Sequence, residues 1–219
     1  MKKILFVIIP AFLMPAAFSQ SAEIDDVKNI RFENRKKEGY YNTTQIGMLM
    51  GNRRLTSQSY YYADRNKLQV APSVTMTNGY MFNEKVAMGI GVGFEIFDLN
   101  HFPVFVDIRR TLWDRRVSPF FALKIGHAIG NLKKKHYDDL YLAWGSYNNV
   151  DFRNYGGFML HPEMGVKFPL SENADLLFTV AYRYQKTKSK VTQQNSYSGE
   201  WEHKESLNRM SFGVAVMFR

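Results

Sequence analysis

The chain has 219 residues, enough for one domain, and a formal net charge of +9. It contains no cysteine, which excludes a disulfide framework and a thiolate metal site. Aromatic residues make up 15% of the chain although its mean hydropathy is −0.33. This composition indicates large apolar side chains interleaved with polar ones rather than gathered in long runs.

The N-terminal segment has the pattern of a secretory signal peptide. Two lysines precede an apolar run from Ile4 to Leu13, and Ala17 and Ser19 stand where a signal peptidase reads. The run is about half of the roughly 20 residues that a membrane-spanning helix requires. We therefore predict a signal peptide over residues 1–19, cleavage before Gln20, and export of the mature chain.

Apolar and polar residues alternate from about residue 40 onward, which is the period of a β-strand with two different faces. Each segment is about ten residues or longer, the length of a tilted membrane-spanning strand. Eight strands are predicted in chain order: Tyr41–Met50, Leu68–Thr77, Ala87–Ile96, Phe102–Leu112, Pro119–Ile129, Gly157–Phe168, Leu176–Gln185 and Asn208–Phe218.

The alternation also predicts which side chains face outward, because a slip of one residue would reverse every assignment. The outward set is predicted to include Val74, Val92, Val106, Leu123, Val180 and Val214. The inward set is predicted to include Thr75, Gly91, Asp107, Lys124, Ala181 and Gly213.

The connections alternate in length. The short turns are Asn78–Glu84, Trp113–Val117 and Pro169–Asp175; the longer loops are Gly51–Lys67, Gly130–Tyr155 and Lys186–Leu207, with the brief Asp98–His101 as the exception. Short periplasmic turns and long external loops predict an all-β, closed, antiparallel up-and-down transmembrane β-barrel over residues 39–219. Residues 20–38 then form a periplasmic segment. Eight strands are expected; ten remain an alternative because Leu140–Trp144 is also strand-like.

The chain resembles small outer-membrane β-barrel proteins of the porin-like and outer-membrane protein β-barrel domain families. The resemblance is carried by Asn78, Gly79, Tyr80, Phe82 and Asn83, the Gly89, Gly91, Gly93 series, Pro103–Asp107 and a last strand ending at Phe218. It implies the fold and a location in the outer membrane of a Gram-negative cell. Phe218 would be the signal read by the assembly machinery, although Arg219 departs from the usual terminal aromatic residue.

The glycine series has a strict spacing of two and no following helix, which excludes a nucleotide-binding loop. Inward glycines are expected to make room for large side chains from the opposite wall of a narrow barrel.

Charged residues occupy inward positions in nearly balanced numbers: Glu95, Asp107, Arg109, Lys124, His161, Glu163, Lys167, Arg183 and Arg209. An eight-stranded barrel is just wide enough to be filled by side chains, so enclosed charges must pair. We predict a salt-bridged plug in which Asp107, Glu163, Lys124 and Arg183 belong to one hydrogen-bonded network, with Lys167 or Arg183 as the cation beside Glu163. An ion or proton path is the alternative.

External aromatic and basic residues are candidates for binding lipid headgroups, sugars or a partner protein: Tyr61, Lys133, Lys134, Lys135, Tyr141, Trp144 and Lys188. The phosphates of lipopolysaccharide are the expected anionic partner, rather than nucleic acid. The parity of His127 with Leu123 and Ile125 predicts an outward position near the outer rim, where it is a candidate lipid-modifying catalyst, but Ile129 stands where a deacylase has its serine. No catalytic residue, cofactor or metal site is therefore predicted.

The favoured hypothesis is a non-enzymatic, monomeric barrel that anchors external loops for surface interaction or envelope integrity. A narrow porin-like channel and a lipid-modifying enzyme are the alternatives.

Overall fold

A computed structural model of the chain describes residues 35–52, 68–96, 100–113, 117–130, 135–142, 145–193 and 199–219. The predicted signal peptide and most of the predicted periplasmic segment lie outside these residues. Among the described residues, no helix is long and apolar enough to cross a bilayer.

Nine antiparallel strands are present in the described residues. They are β1 (Gly39–Asn52), β2 (Leu68–Met81), β3 (Val86–Glu95), β4 (Phe102–Thr111), β5 (Ser118–Ile129), β6 (Lys135–Leu142), β7 (Gly145–Pro169), β8 (Ala174–Gln193) and β9 (Glu200–Phe218).

Eight of the strands close into a ring. Strands β1 to β5 are paired in sequence order, β5 pairs with β7, and β7, β8 and β9 follow back to β1. The closing pair runs from Asn42 opposite Phe218 to Gly51 opposite Arg209. The eight-stranded up-and-down barrel is thus confirmed. In the described residues β6 pairs with the outer part of β7, so it extends a hairpin beyond the ring and the ten-stranded alternative is wrong.

Side-chain exposure follows the predicted register. Val74, Val92, Val106, Val180 and Val214 are exposed on the outer face, and Leu123 of the same face is half-buried. Asp107, Lys124, Ala181 and Gly91 are buried inside, with Thr75 and Gly213 half-buried. This pattern follows because successive side chains of a strand point to opposite faces.

Several strands are longer than predicted. Strands β7, β8 and β9 have 25, 20 and 19 residues, so much of the predicted loops Gly130–Tyr155 and Lys186–Leu207 is paired strand. Likewise Asn78 to Met81, predicted as a turn, continue β2. The strands continue beyond the predicted ends because backbone pairing does not require an apolar outer face, and Val150, Phe152 and Val191 are buried in these extensions.

The inward glycines make room for neighbours rather than for the opposite wall. A Cβ atom on Gly89 would lie 2.7 Å from the hydroxyl oxygen of Tyr41, and one on Gly91 would meet the ring of Phe105 on the adjacent β4. Gly156 has a different role, because its φ of +75° accommodates a register shift between β7 and β8.

Candidate functional site

All nine predicted interior charges are buried inside the ring, each with at most 9% of its surface exposed. We call the end of the barrel with the short turns 82–85 and 170–173 the turn end, and the opposite end the loop end. The nine residues are distributed between these ends on β3, β4, β5, β7, β8 and β9.

A hydrogen-bonded cluster occupies the middle of the lumen. Lys124 Nζ donates to Glu163 Oε2 over 2.8 Å and to Gln45 Oε1 over 2.5 Å. Gln45 Nε2 in turn donates to Glu163 Oε2 over 3.1 Å and to Thr179 Oγ1 over 2.8 Å. His161 Nε2 lies 3.7 Å from the same carboxylate oxygen. Strands β1 and β5 are opposite each other in the ring, so the contact between Gln45 and Lys124 spans the lumen.

A second contact crosses the lumen nearer the loop end. Arg183 on β8 forms an ion pair with Glu95 on β3, and these strands are also opposite each other. Both side chains are fully or almost fully buried. Paired charges at this position satisfy the requirement that a buried ion have a partner.

Asp107, Arg109 and Lys167 have partners nearer the turn end. Arg109 forms an ion pair of 2.9 Å with Asp107 on the same strand, and its guanidinium lies 5.1 Å from the ring centroid of Phe120. Lys167 donates to Thr111 over 3.2 Å. The partner of Glu163 is therefore Lys124, and the expectation that Lys167 or Arg183 plays this part is wrong.

The turn end of the lumen is filled by apolar side chains: Tyr41, Met81, Ala87, Phe120, Ala122, Leu177, Ala215 and Met217. A cavity of about 10 Å³ lies beside them, and a cavity of about 20 Å³ lies beside the central cluster. Such spaces hold about one water molecule each.

A clamp joins the chain segments at the turn end. The carboxylate of Asp175, the second residue of β8, is fully buried and pairs with both Arg35 and Arg219. Arg219 Nε donates to Asp175 Oδ2 over 2.9 Å, and its backbone N–H donates to the carbonyl of Asn173 over 2.9 Å. This Asp175 clamp ties both ends of the ring to the β7–β8 turn.

The external candidates are only partly described. Tyr61, Lys133, Lys134 and Trp144 lie outside the described residues, and Lys135 and Tyr141 lie on β6. Lys188 lies on the extension of β8 beyond the ring, where its ammonium pairs with Glu202 over 2.7 Å. Their role in binding stays a prediction, as does the assembly role of Phe218, which is 54% exposed at the end of β9.

Two ion pairs join the extensions of β8 and β9. The hydrogen bond from Lys188 holds the pKa of Glu202 below its ordinary value, and the hydrogen bond to Glu200 raises the pKa of Lys190. The pair of Lys188 with Glu202 is therefore lost as pH falls through the lowered pKa of Glu202, and the pair of Lys190 with Glu200 is lost as pH rises through the raised pKa of Lys190.

His127 faces outward on β5, between Val104 of β4 and Phe158 of β7 in the register. This is the outer-face position near the loop end that the sequence predicts. Within the described ranges, no group of three or more His, Cys, Asp or Glu residues could hold a metal ion.

Sequence reasoning missed three polar residues. Gln45 and Thr179 stand at inward positions of predicted strands, so the alternation contains the signal, but the prediction of a plug names charged residues alone. The sequence predicts Asp175 in a turn, and Arg219, its partner in the structure, departs from the usual terminal aromatic residue. No local pattern links Asp175 with Arg35, which is 140 residues away in the chain.

A closed eight-stranded ring with short turns at one end is the fold of small outer-membrane β-barrel proteins. The outer-membrane protein AlkL, solved in lipid bilayers, is 12% identical over 84% of this chain and 90% of that one, with a TM-score of 0.54. OprG from Pseudomonas aeruginosa is 13% identical over 84% and 98%, with a TM-score of 0.53. Neisserial surface protein A is 11% identical over 84% of this chain and 99% of that one, with a TM-score of 0.49.

No protein-family model matches the sequence, and no curated protein matches it. The likeness to the solved structures concerns the fold.

Proposed function

We propose that this chain is an integral, non-enzymatic protein of a bacterial outer membrane whose barrel is closed to solutes and anchors an external β-sheet. The two contacts across the lumen carry the proposal. Lys124 with Gln45 and Arg183 with Glu95 tie opposite walls together, so a solute would have to break buried charge-assisted hydrogen bonds.

The outer surface supports the membrane location. Large apolar side chains are exposed on strands around the ring, among them Ile46 at 66%, Ile90 at 66% and Phe121 at 50%. A continuous apolar surface of this extent is unfavourable in water and is the surface that a transmembrane barrel presents to lipid. Export through a signal peptide over residues 1–19 and insertion by the assembly machinery complete the proposal.

The closed barrel is an anchor because β7, β8 and β9 continue beyond the ring. At the loop end Val150 is paired with Gln193, and Thr192 with Glu200, well past the last residues that pair across β1 and β9. A rigid wall below would fix this sheet above the membrane surface. The proposal therefore places interaction on the external sheet and not in the lumen.

Solute uptake by proteoliposomes tests the proposal. Vesicles of phosphatidylcholine carrying the folded protein should swell in isosmotic arabinose no faster than empty vesicles, while a general porin at equal density gives rapid swelling. Heat-modifiable migration of the same sample shows that the barrel is folded. Rapid swelling by the folded wild type would overturn the closed-barrel proposal in favour of a channel.

A further inference from the structure

The outer face of the external extension bears a cluster of cations on three adjacent strands. On β8 the residues that follow the outward-facing Tyr182 and Tyr184 at the same alternation are Lys186, Lys188 and Lys190. Lys204 on β9 is directly opposite Lys188, and Arg153 on β7 is directly opposite Lys190. We call these five residues the basic face.

Like charges directly opposite each other destabilise a sheet unless an anion lies between or beside them. Two of the five cations have one: Lys188 pairs with Glu202 and Lys190 with Glu200. Among the described residues, Lys186 and Lys204 form no ion pair, and Arg153 contacts the ring of Tyr155 at 5.9 Å. The basic face therefore keeps three cations that form no ion pair with a described carboxylate.

The basic face lies at a defined depth relative to the apolar belt. On β8 the outward apolar residues run from Leu176 to Tyr184. Eight residue steps at about 3.3 Å and a tilt of about 40° give a height of about 20 Å, and Lys186 adds about 5 Å. The apolar band of such barrels is about 25 Å tall, so Lys186 lies at its outer edge.

We infer that the basic face binds the phosphates of lipids in the outer leaflet. This inference rests on the proposed outer-membrane location. Lys186 at the edge of the belt and Lys204, level with Lys188 two residues further out, are the exposed members and lie at headgroup height, where a lipid held by its chains against Tyr182 and Tyr184 presents its phosphate. The chemistry is charge-assisted hydrogen bonding from ammonium and guanidinium groups to phosphate oxygens. Lys188 and Lys190, tied to carboxylates above, complete the positive side of the site.

The test uses the purified, folded full-length mature protein in detergent and lipopolysaccharide as the probe, with binding followed by native mass spectrometry. We expect Lys186→Gln with Lys204→Gln to weaken binding by about fivefold per lysine, the effect of roughly 1 kcal/mol per basic side chain at an anionic lipid surface. The matched control is Lys36→Gln with Lys85→Gln, which removes the same charge from exposed positions at the turn end.

Three further arms make the source of the phosphate explicit. Dephosphorylated lipopolysaccharide should bind the wild type as weakly as the phosphorylated form binds the double variant. Inorganic phosphate at the same phosphate concentration should not compete, because a single free anion lacks the apolar anchor. Arg153→Gln should weaken binding further when added to the double variant.

Equal binding by the wild type and the Lys186, Lys204 variant would overturn the inference, as would equal loss in the turn-end control. Competition by inorganic phosphate would show a site for free anions instead of lipid. The proposed location is tested separately by cell fractionation, where absence of the protein from outer membranes would contradict it. The binding results are independent of that test because they are measured on purified protein.

Discussion

At the scale of single residues, Glu163 is the acceptor that holds the central cluster together, since Lys124 and Gln45 both donate to it. Replacing Glu163 with Ala leaves the buried ammonium of Lys124 without its carboxylate. Removing one partner of a buried ion pair costs about 3 to 5 kcal/mol, and we expect a loss of this size in unfolding free energy. Urea unfolding in micelles, followed by tryptophan fluorescence, measures it.

The control for this variant is Glu172→Gln, a carboxylate exposed in the β7–β8 turn, which should change stability by less than about 0.5 kcal/mol. Adding Lys124→Met to Glu163→Ala should restore part of the loss, because both charges are then absent. If the Glu163→Ala variant were as stable as the control, the central ion pair would not be a structural plug.

What the sequence can predict at this scale is the face on which a residue lies. The alternation placed all nine charges inside the barrel because every second strand residue faces inward. Their partners depend on the stagger between strands and on which strands are opposite. The pairing of Glu95 with Arg183 joins residues 88 positions apart, and no local pattern encodes it.

At the scale of elements, β8 supports a test of register. Val180 is 40% exposed on the outer face, midway along the apolar run between Leu176 and Tyr184. An arginine near the midplane on the lipid face destabilises a transmembrane barrel by about 2 to 4 kcal/mol, and by about 0 to 1 near the interface. We expect Val180→Arg to show the larger loss in equilibrium unfolding from phosphatidylcholine vesicles.

Ser206→Arg is the matched control, since Ser206 is exposed above the apolar belt on the adjacent strand β9. It should cost less than about 1 kcal/mol. Equal losses in both variants would contradict the depth that the register assigns to β8.

The Asp175 clamp acts on three elements at once, because it ties the residues before β1 and after β9 to the start of β8. Asp175→Asn removes the charge that Arg35 and Arg219 share. Since the side chain of Arg35 is 19% exposed, we expect a loss of roughly 2 to 3 kcal/mol, below that of a fully buried pair. Urea unfolding measures this loss, and Glu172→Gln again provides the control.

A second readout separates the clamp from general packing. The clamp joins the ends of the ring, so Asp175→Asn should speed digestion of the N-terminal residues near Arg35 by trypsin before the barrel unfolds. An unchanged digestion rate together with unchanged stability would show that the clamp does not hold the seam.

The ends of the strands were harder to predict than their faces. Membrane-spanning parts alternate because lipid selects apolar residues on one side. From Lys186 onward the fully buried Val191 is the one apolar residue of β8, so the alternation that marks the strand disappears. The backbone register of this extension, in which Lys190 is directly opposite Glu202, is therefore visible only in the structure.

At the scale of the whole molecule, strand number and closure could be predicted because an even count of long strands with alternating connections leaves few other arrangements. The extension of β7, β8 and β9 beyond the ring could not be predicted, because it depends on strand pairing outside the membrane. For the lumen, the sequence predicts which charged residues face inward but not their partners. Of the basic face, it predicts Lys188 as a binding candidate but not the neighbours that Lys188 has on β7 and β9.

The central claim is that side chains close the lumen, and single-channel recording in planar bilayers tests it most directly. Wild-type protein, shown to be folded by heat-modifiable migration, should give no discrete conductance steps in 1 M KCl. Gln45→Ala and Arg183→Ala, combined to remove one partner from each contact across the lumen, should admit water and raise ion leakage. Stable open currents from the unmodified protein, unchanged in the double variant, would contradict the account and identify the barrel as a channel.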